Sequence, residues 1–283
     1  MSKTRTRFSL LLFAISLPAS APAQSLPTSQ PSLLRISREE VKPGRAADHA
    51  KIEAGWPAAY EKAKSPDYYL AIASITGTNE VWYLSPYASH DAQGASMARD
   101  EEPALAAELA RLSRADGELL TGIRHLQARA RLDLSYGTYP DLAKMRFWEI
   151  TTFRVRPGHE RHFTEAAKAY VAASGRAGSK SSFRTYEVIA GAVGSTYLIF
   201  SSVASFAEFD QTMGTDEAVM KAATADEGSL LQKFMSEGVI TVETQRFRLD
   251  PVQSYVSKEV RATDPAFWMP KKPAAAKPAA SQP

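Results

Sequence analysis

Two stretches of the chain, "LLRISREEVKPGR" from Leu33 and "FWEITTFRVRPGH" from Phe147, repeat one pattern at an offset of 114 residues. Each is a strand-like apolar run closed by Pro-Gly and followed by a helical pattern. Later landmarks return in the same order. "LSPYAS" at Leu84 is answered by "FSSVAS" at Phe200, an offset of 116, and "RLDLSY" at Arg131 by "RLDPVQSY" at Arg248, an offset of 117. Small loop insertions produce such a drift, and three ordered matches argue for a tandem duplication. A period of this length is far too long for a solenoid repeat and is the size of a small domain.

Hydrophobic periodicity supplies the elements of each unit. The first reads as a strand over 33–41, a helix over 45–64 kinked by Pro57, strands over 68–75 and 80–84, a helix within 100–120 and a strand over 123–134. The second reads as a strand over 147–155, a helix over 158–174, strands over 183–190 and 196–201 around a "GAVGS" turn, helix within 206–237, and a closing strand over 239–249. Both are βαββαβ, an order that makes a four-stranded antiparallel sheet with its helices on one face. The other face is left bare, and two units in one chain can bury those faces against each other. The predicted class is therefore α+β: two tandem ferredoxin-like units, 32–137 and 146–250, joined by a linker over 138–145 and forming a pseudo-dimeric α+β barrel. The two faces can pair within one chain or, in a homodimer, between chains.

The ends of the chain read differently. Lys3, Arg5 and Arg7, the apolar run from Phe8 to Leu17 and Ala21-Pro22-Ala23 form a secretory signal peptide over 1–23, so the chain is expected to be exported to the periplasm or medium after cleavage near Ala23. That run is well short of the ~20 apolar residues a membrane-spanning helix needs, so no stable membrane insertion is expected. The three basic residues account for the whole formal net charge of +3, and the remainder, balanced in charge, lacks the basic excess of a nucleic-acid binder. There are no cysteines, which excludes disulfide staples, thiolate nucleophiles and thiolate metal sites. Residues 24–31 read as a flexible segment, 251–268 as a C-terminal extension whose "DPAFWMP" docks on the body, and 269–283 as a disordered Pro/Ala/Lys tail.

Phe147, Trp148, Glu149, Ile150, Phe153, Pro157 and Gly158 carry a likeness to a known group. "FWEITTFRVRPGHERHF" resembles the opening strand and Pro-Gly corner of the dimeric α+β barrel superfamily, which includes NIPSNAP-like and antibiotic-biosynthesis-monooxygenase-like proteins. The likeness is fainter in the first unit, where Arg35 stands at the position of Glu149. It implies the barrel fold and a range of activities: cofactor-independent monooxygenases, haem-dependent enzymes, small-molecule isomerases and proteins without known activity. It carries no catalytic motif onto this chain, and no cofactor is predicted, haem being the one the resemblance allows.

Glu149 sits mid-strand among apolar neighbours, where burial would raise its pKa toward proton transfer. Arg35, its counterpart, can instead neutralise it. His125, alone in a strand, is a candidate base or haem ligand. These two, Glu149 and His125, are the catalytic candidates. Arg35, Trp82, Tyr83, Arg184, Tyr186 and Tyr197 are the ligand-binding candidates, although strand aromatics are more often core. His159 and His162 have a chelating spacing but flank an exposed-looking corner, so no metal site is assigned. The expectation is a small-molecule binder with a cavity for an apolar or planar ligand; the alternatives are a cofactor-independent or haem-dependent oxidoreductase or isomerase, which a buried carboxylate or histidine beside an aromatic wall would favour, and a structural or interaction module.

Overall fold

The computed structural model describes residues 26–270. The signal-peptide reading of 1–23 and all but the start of the tail lie outside the described residues. Strands β1 (Leu33–Val41), β2 (Tyr69–Ser74), β3 (Glu80–Tyr87) and β4 (Leu120–Ala130) come from the first half, and β5 (Phe147–Val155), β6 (Phe183–Ala190), β7 (Ser195–Val203) and β8 (Val239–Tyr255) from the second. They close into one barrel in the order β1-β3-β2-β8-β5-β7-β6-β4, every pair antiparallel. The seams between halves are β2–β8 and β4–β6, so the bare faces meet within one chain.

Period-two alternation fills the barrel. Leu34 and Ile36 of β1, Ile72, Trp82 and Leu126 from the first half meet Trp148, Ile150, Leu198, Phe200, Phe247 and Leu249 from the second. Trp82 packs on Phe247 with ring centroids 4.9 Å apart, joining the halves directly. Arg38, also inward, binds Glu80 at 2.8 Å and lies over the Trp82 ring, whose Nε1 donates to Glu80 Oε2. The charged pair is thus held by partners on both sides, as a buried ion pair must be.

The helices lie outside. In the first half these are α1 (Ala46–Glu53), α2 (Gly55–Ala63), α3 (His90–Asp100) and α4 (Pro103–Gly117); in the second, α5 (Glu160–Arg176), α6 (Glu208–Thr212), α7 (Thr215–Ala222) and α8 (Ala225–Lys233). The helix expected over 45–64 is two, broken at Ala54. Pro57 has no N–H to donate to the carbonyl of Glu53, so the chain ends one helix and restarts with Pro57 in the first turn of the next. The strand expected over 123–134 begins earlier, at Leu120, and gives way to a 3₁₀ turn at Leu132–Leu134. The closing strand runs on to Tyr255, because its last residues complete the seam with β2 after a register shift near Pro251.

Two short helices end the described chain, α9 (Lys258–Thr263) and α10 (Pro265–Trp268). Trp268 is buried with its Nε1 donating to the Ala143 carbonyl, and Arg146 pairs with Asp264 at 2.7 Å while lying over the Phe267 ring, so this segment docks on the barrel. In the segment read as flexible, Leu26 is buried in the barrel core and Gln30 donates to the Thr185 carbonyl. Among the described residues no helix is long and apolar enough to cross a membrane.

Two outcomes follow from closure. A chain of residues 24–137 alone exposes Ile36, Ile72 and Trp82 and is expected to aggregate or stay unfolded by circular dichroism and sedimentation; a folded monomeric half would contradict the dependence of each sheet on the other. Gly191 has φ +88° at the end of the β4–β6 seam, and a Cβ there would stand 2.0 Å from the His125 carbonyl oxygen. Gly191→Ala should therefore lower stability by about 1–3 kcal/mol in urea denaturation.

Candidate functional site

The outward face of β1 carries Arg35, Ser37 and Glu39 toward the helices, because Leu34 and Ile36 alternate inward. The Pro-Gly corner then turns the chain into α1, where His49 and Glu53, one helical turn apart, share the face that lies over the sheet. Asp116 comes in from the last turn of α4. These four form the one group of potential metal-ligating side chains among the described residues, with one ligand atom from each within 4.8 Å of the others. All are buried: Glu39 is 8% exposed, His49 1%, Glu53 3% and Asp116 4%.

His49 Nε2 lies 3.1 Å from Glu39 Oε2 and 3.4 Å from Asp116 Oδ1. The second is a charge contact only, so Asp116 Oδ1 has no hydrogen-bond partner, and neither has Glu53 Oε1. Among the described residues no lysine or arginine forms an ion pair with any of the four. Burial pushes Glu39, Glu53 and Asp116 well above the ordinary carboxylate range, and the mutual repulsion of the acids adds to it for Glu53 and Asp116. The Tyr83 hydroxyl beside Glu39 and Glu53 opposes the rise.

Glu39, Glu53 and Asp116 line one end of a cavity of about 360 Å³ between the sheet and helices of the first half. Its walls are Trp56, Tyr60, Tyr69 and Tyr83; Arg35, Ser37, Ser85 and His125 complete the lining. Tyr83 donates to Gln253 Oε1 at 2.9 Å. The Tyr69 hydroxyl and Trp56 Nε1 are buried without partners. Buried polar groups are normally paired, so orphaned donors facing one cavity are informative. Burial first, and then the negative charge of Glu53, raise the Tyr69 hydroxyl well above the usual phenol range. Arg35 is half-buried and, among the described residues, makes neither a direct ion pair nor a hydrogen bond, although burial raises the pKa of Asp100 and the Arg35 charge opposes that rise through space. Along the outward face of β1 the cavity is thus acidic at the Glu39 end and cationic at the Arg35 end.

The second half fills the same space. Along the corner repeat, Glu39, His49 and Glu53 stand where Phe153, Phe163 and Ala167 stand 114 residues later. There Phe163 stacks on Tyr197 at 3.8 Å and packs with Phe153 and Phe234 into an apolar layer. The fold therefore does not require acids at these positions.

Of the residues singled out from sequence, Arg35, Tyr83 and His125 line this cavity, and the others do not. His125 is exposed at the rim, its Nδ1 3.0 Å from Ser37 Oγ, and its pKa is lowered by desolvation and then by Arg35. Glu149 is no free base: it faces outward in the second half and pairs with Arg246 at 2.8 Å, not with Arg35. Trp82 and Tyr186 point into the barrel core, since they share the inward parity of their strands. Tyr197 is locked under Phe163. Arg184 binds the carbonyls of Tyr136, Phe183 and Gly137, and with Tyr186 it lines a second, narrower and apolar cavity beside Leu34, Trp148 and Phe200. His159 and His162 are only partly buried and bond each other, Nδ1 to Nδ1, at 3.0 Å. Sequence reasoning missed Glu39, His49, Glu53 and Asp116; laying the two halves side by side beyond Arg35 exposes the polar-for-apolar exchange in the first three.

No protein-family model matches the chain, and no curated protein matches it. Solved structures do. An anthrone oxidase-like protein superposes with a TM-score of 0.52 at 12% identity, over 79% of this chain and 93% of its own. A "Putative monooxygenase" from Fusobacterium nucleatum gives 0.50 at 10% identity, over 78% and 93%. A mutant chlorite dismutase from Candidatus Nitrospira defluvii gives 0.49 at 7% identity, over 83% and 96%. With its closed ring of β1 to β8, the chain has the dimeric α+β barrel fold, both halves being carried by one polypeptide.

Proposed function

We propose that the chain is an oxidoreductase that takes a small, planar, acidic phenol into the sheet–helix cavity of its first half. The observation that carries this reading is the unpaired Arg35 in the same aromatic-walled cavity as the unpartnered Tyr69 hydroxyl and Trp56 Nε1. A guanidinium with no carboxylate in direct contact among the described residues, Asp100 acting on it only through space, suits a carboxylate or phenolate. Two orphaned donors suit a ligand oxygen, and Tyr60, Tyr83 and Trp56 suit the flat face of a ring. The volume of about 360 Å³ lies within the range of small-molecule sites. That an anthrone oxidase-like protein and a "Putative monooxygenase" share the fold favours oxidation over binding alone, as an analogy of fold.

The wall does not suit haem. A porphyrin in this cavity would set its apolar face against the buried carboxylates of Glu39, Glu53 and Asp116, and His125 stands at the exposed rim with Nδ1 engaged by Ser37.

The test uses 1,4-dihydroxy-2-naphthoate with the purified chain. Anaerobic calorimetric titration should show saturable binding that Arg35→Ala weakens about 10- to 100-fold, the worth of a charge-assisted hydrogen bond, and that Tyr69→Phe weakens several-fold. In air, the wild type should consume dioxygen as the hydroquinone gives up two electrons and two protons to yield quinone and hydrogen peroxide. Binding without oxygen uptake above the uncatalysed rate would reduce the protein to a carrier. Absence of binding, or binding indifferent to Arg35→Ala, would overturn the reading.

A further inference from the structure

We propose that Glu39, His49, Glu53 and Asp116 bind a first-row divalent transition-metal ion at the acidic end of the first-half cavity. The site lies beside the space assigned to the phenol, and its existence does not depend on that assignment.

Three carboxylates and one imidazole are gathered in the interior, where an unpaired anion costs several kcal/mol. Their only basic neighbour in direct contact is His49, which lies against Glu39 and Asp116 and leaves Glu53 without an ion-pair partner. Surface acid clusters disperse their charge into water; this one cannot, since no member is more than 8% exposed.

A second, independent observation points at a ligand. Glu53 is 97% buried, and its Oε1 accepts no hydrogen bond from the described residues although it lines the cavity; Asp116 Oδ1, also buried, accepts none either. A buried carboxylate oxygen without a donor is costly, and a cation satisfies several such oxygens at once.

The spacing agrees. Ligand atoms about 2.0–2.2 Å from a metal stand at most roughly 4.4 Å apart across it, and the four here lie within 4.8 Å of one another, so closure needs only small side-chain movement. Mixed donors select the ion. An imidazole nitrogen favours Mn²⁺, Fe²⁺ or Zn²⁺ over Ca²⁺ and Mg²⁺, whose sites are built from oxygens. Four protein ligands leave coordination positions for water or a ligand oxygen entering from the cavity.

The twin half supplies the contrast. At the positions of Glu39, His49 and Glu53 it holds Phe153, Phe163 and Ala167, packed into an apolar layer on the same fold. The polar set is therefore an addition to the architecture and not a condition of it.

The experiment uses the chelator-treated chain without any organic ligand, titrated with Mn²⁺ and followed by loss of the free-ion electron paramagnetic resonance signal, with Zn²⁺ in parallel by calorimetry. One ion per chain should bind, with the melting temperature rising as metal is added. Glu53→Gln, which preserves shape, and His49→Gln should each weaken binding at least 100-fold while circular dichroism remains that of the wild type. Should His49→Gln fail to fold, Glu53→Gln and Asp116→Asn carry the test. Arg35→Ala should leave metal affinity unchanged while weakening the naphthoate, so that failure of either idea is read separately. Replacing both His159 and His162 with alanine should change nothing. Absence of binding of both ions up to millimolar concentration, unchanged affinity in Glu53→Gln, or loss of binding on replacing His159 and His162 would each overturn the proposal.

Discussion

Everything in this structure depends on covering the bare face of a four-stranded sheet. A ferredoxin-like half places its helices on one side only, and the exposed side, with Ile36, Ile72 and Trp82 in the first half and Ile150, Leu198 and Phe247 in the second, is too apolar to face water. Joining the halves solves two problems at once. The seams β2–β8 and β4–β6 remove the free edges, and closure buries both faces in one core. The extra length of β8 and the stacking of Trp82 on Phe247 follow from that closure.

Closure also frees the outer layers to diverge. Once the barrel is stabilised from within, the space between sheet and helices no longer has to be equally well filled in both halves. The second half fills it with Phe153, Phe163 and Phe234. The first opens a cavity, lines it with tyrosines, leaves Arg35 unpaired at one end and sets three acids with a histidine at the other. Such groups lower stability where they stand and are retained where a ligand or ion offsets the loss. The break between α1 and α2 belongs to the same design, because Pro57 ends α1 just past Glu53 and lets α2 carry Trp56 and Tyr60 onto the cavity wall.

Much of the fold was legible before any coordinates. Pro-Gly corners at Pro43-Gly44 and Pro157-Gly158, alternation in the strands and the order of elements lead to the barrel, because each is a local consequence of side-chain chemistry. Candidate sites fared differently. Arg35, Tyr83 and His125 were named and do meet at one cavity, but Glu149, equally attractive in a list of buried acids, is neutralised by Arg246 from the neighbouring strand. A strand's sequence gives the parity of its residues without saying which parity faces the core, and Trp82 and Tyr83, adjacent in sequence, face opposite ways.

What the sequence determined by itself was the duplicated architecture, its α+β class and its freedom from cysteine chemistry, since repeats, periodicity and composition are properties of the chain as written. Only the tertiary structure decided which charges are satisfied. Glu39, His49, Glu53 and Asp116 span the first half from β1 to the end of α4, and their meeting depends on the angle at which two helices cross a twisted sheet. Burial and Coulomb interaction act through distances in space, and a linear order of residues does not contain those distances until the barrel has closed.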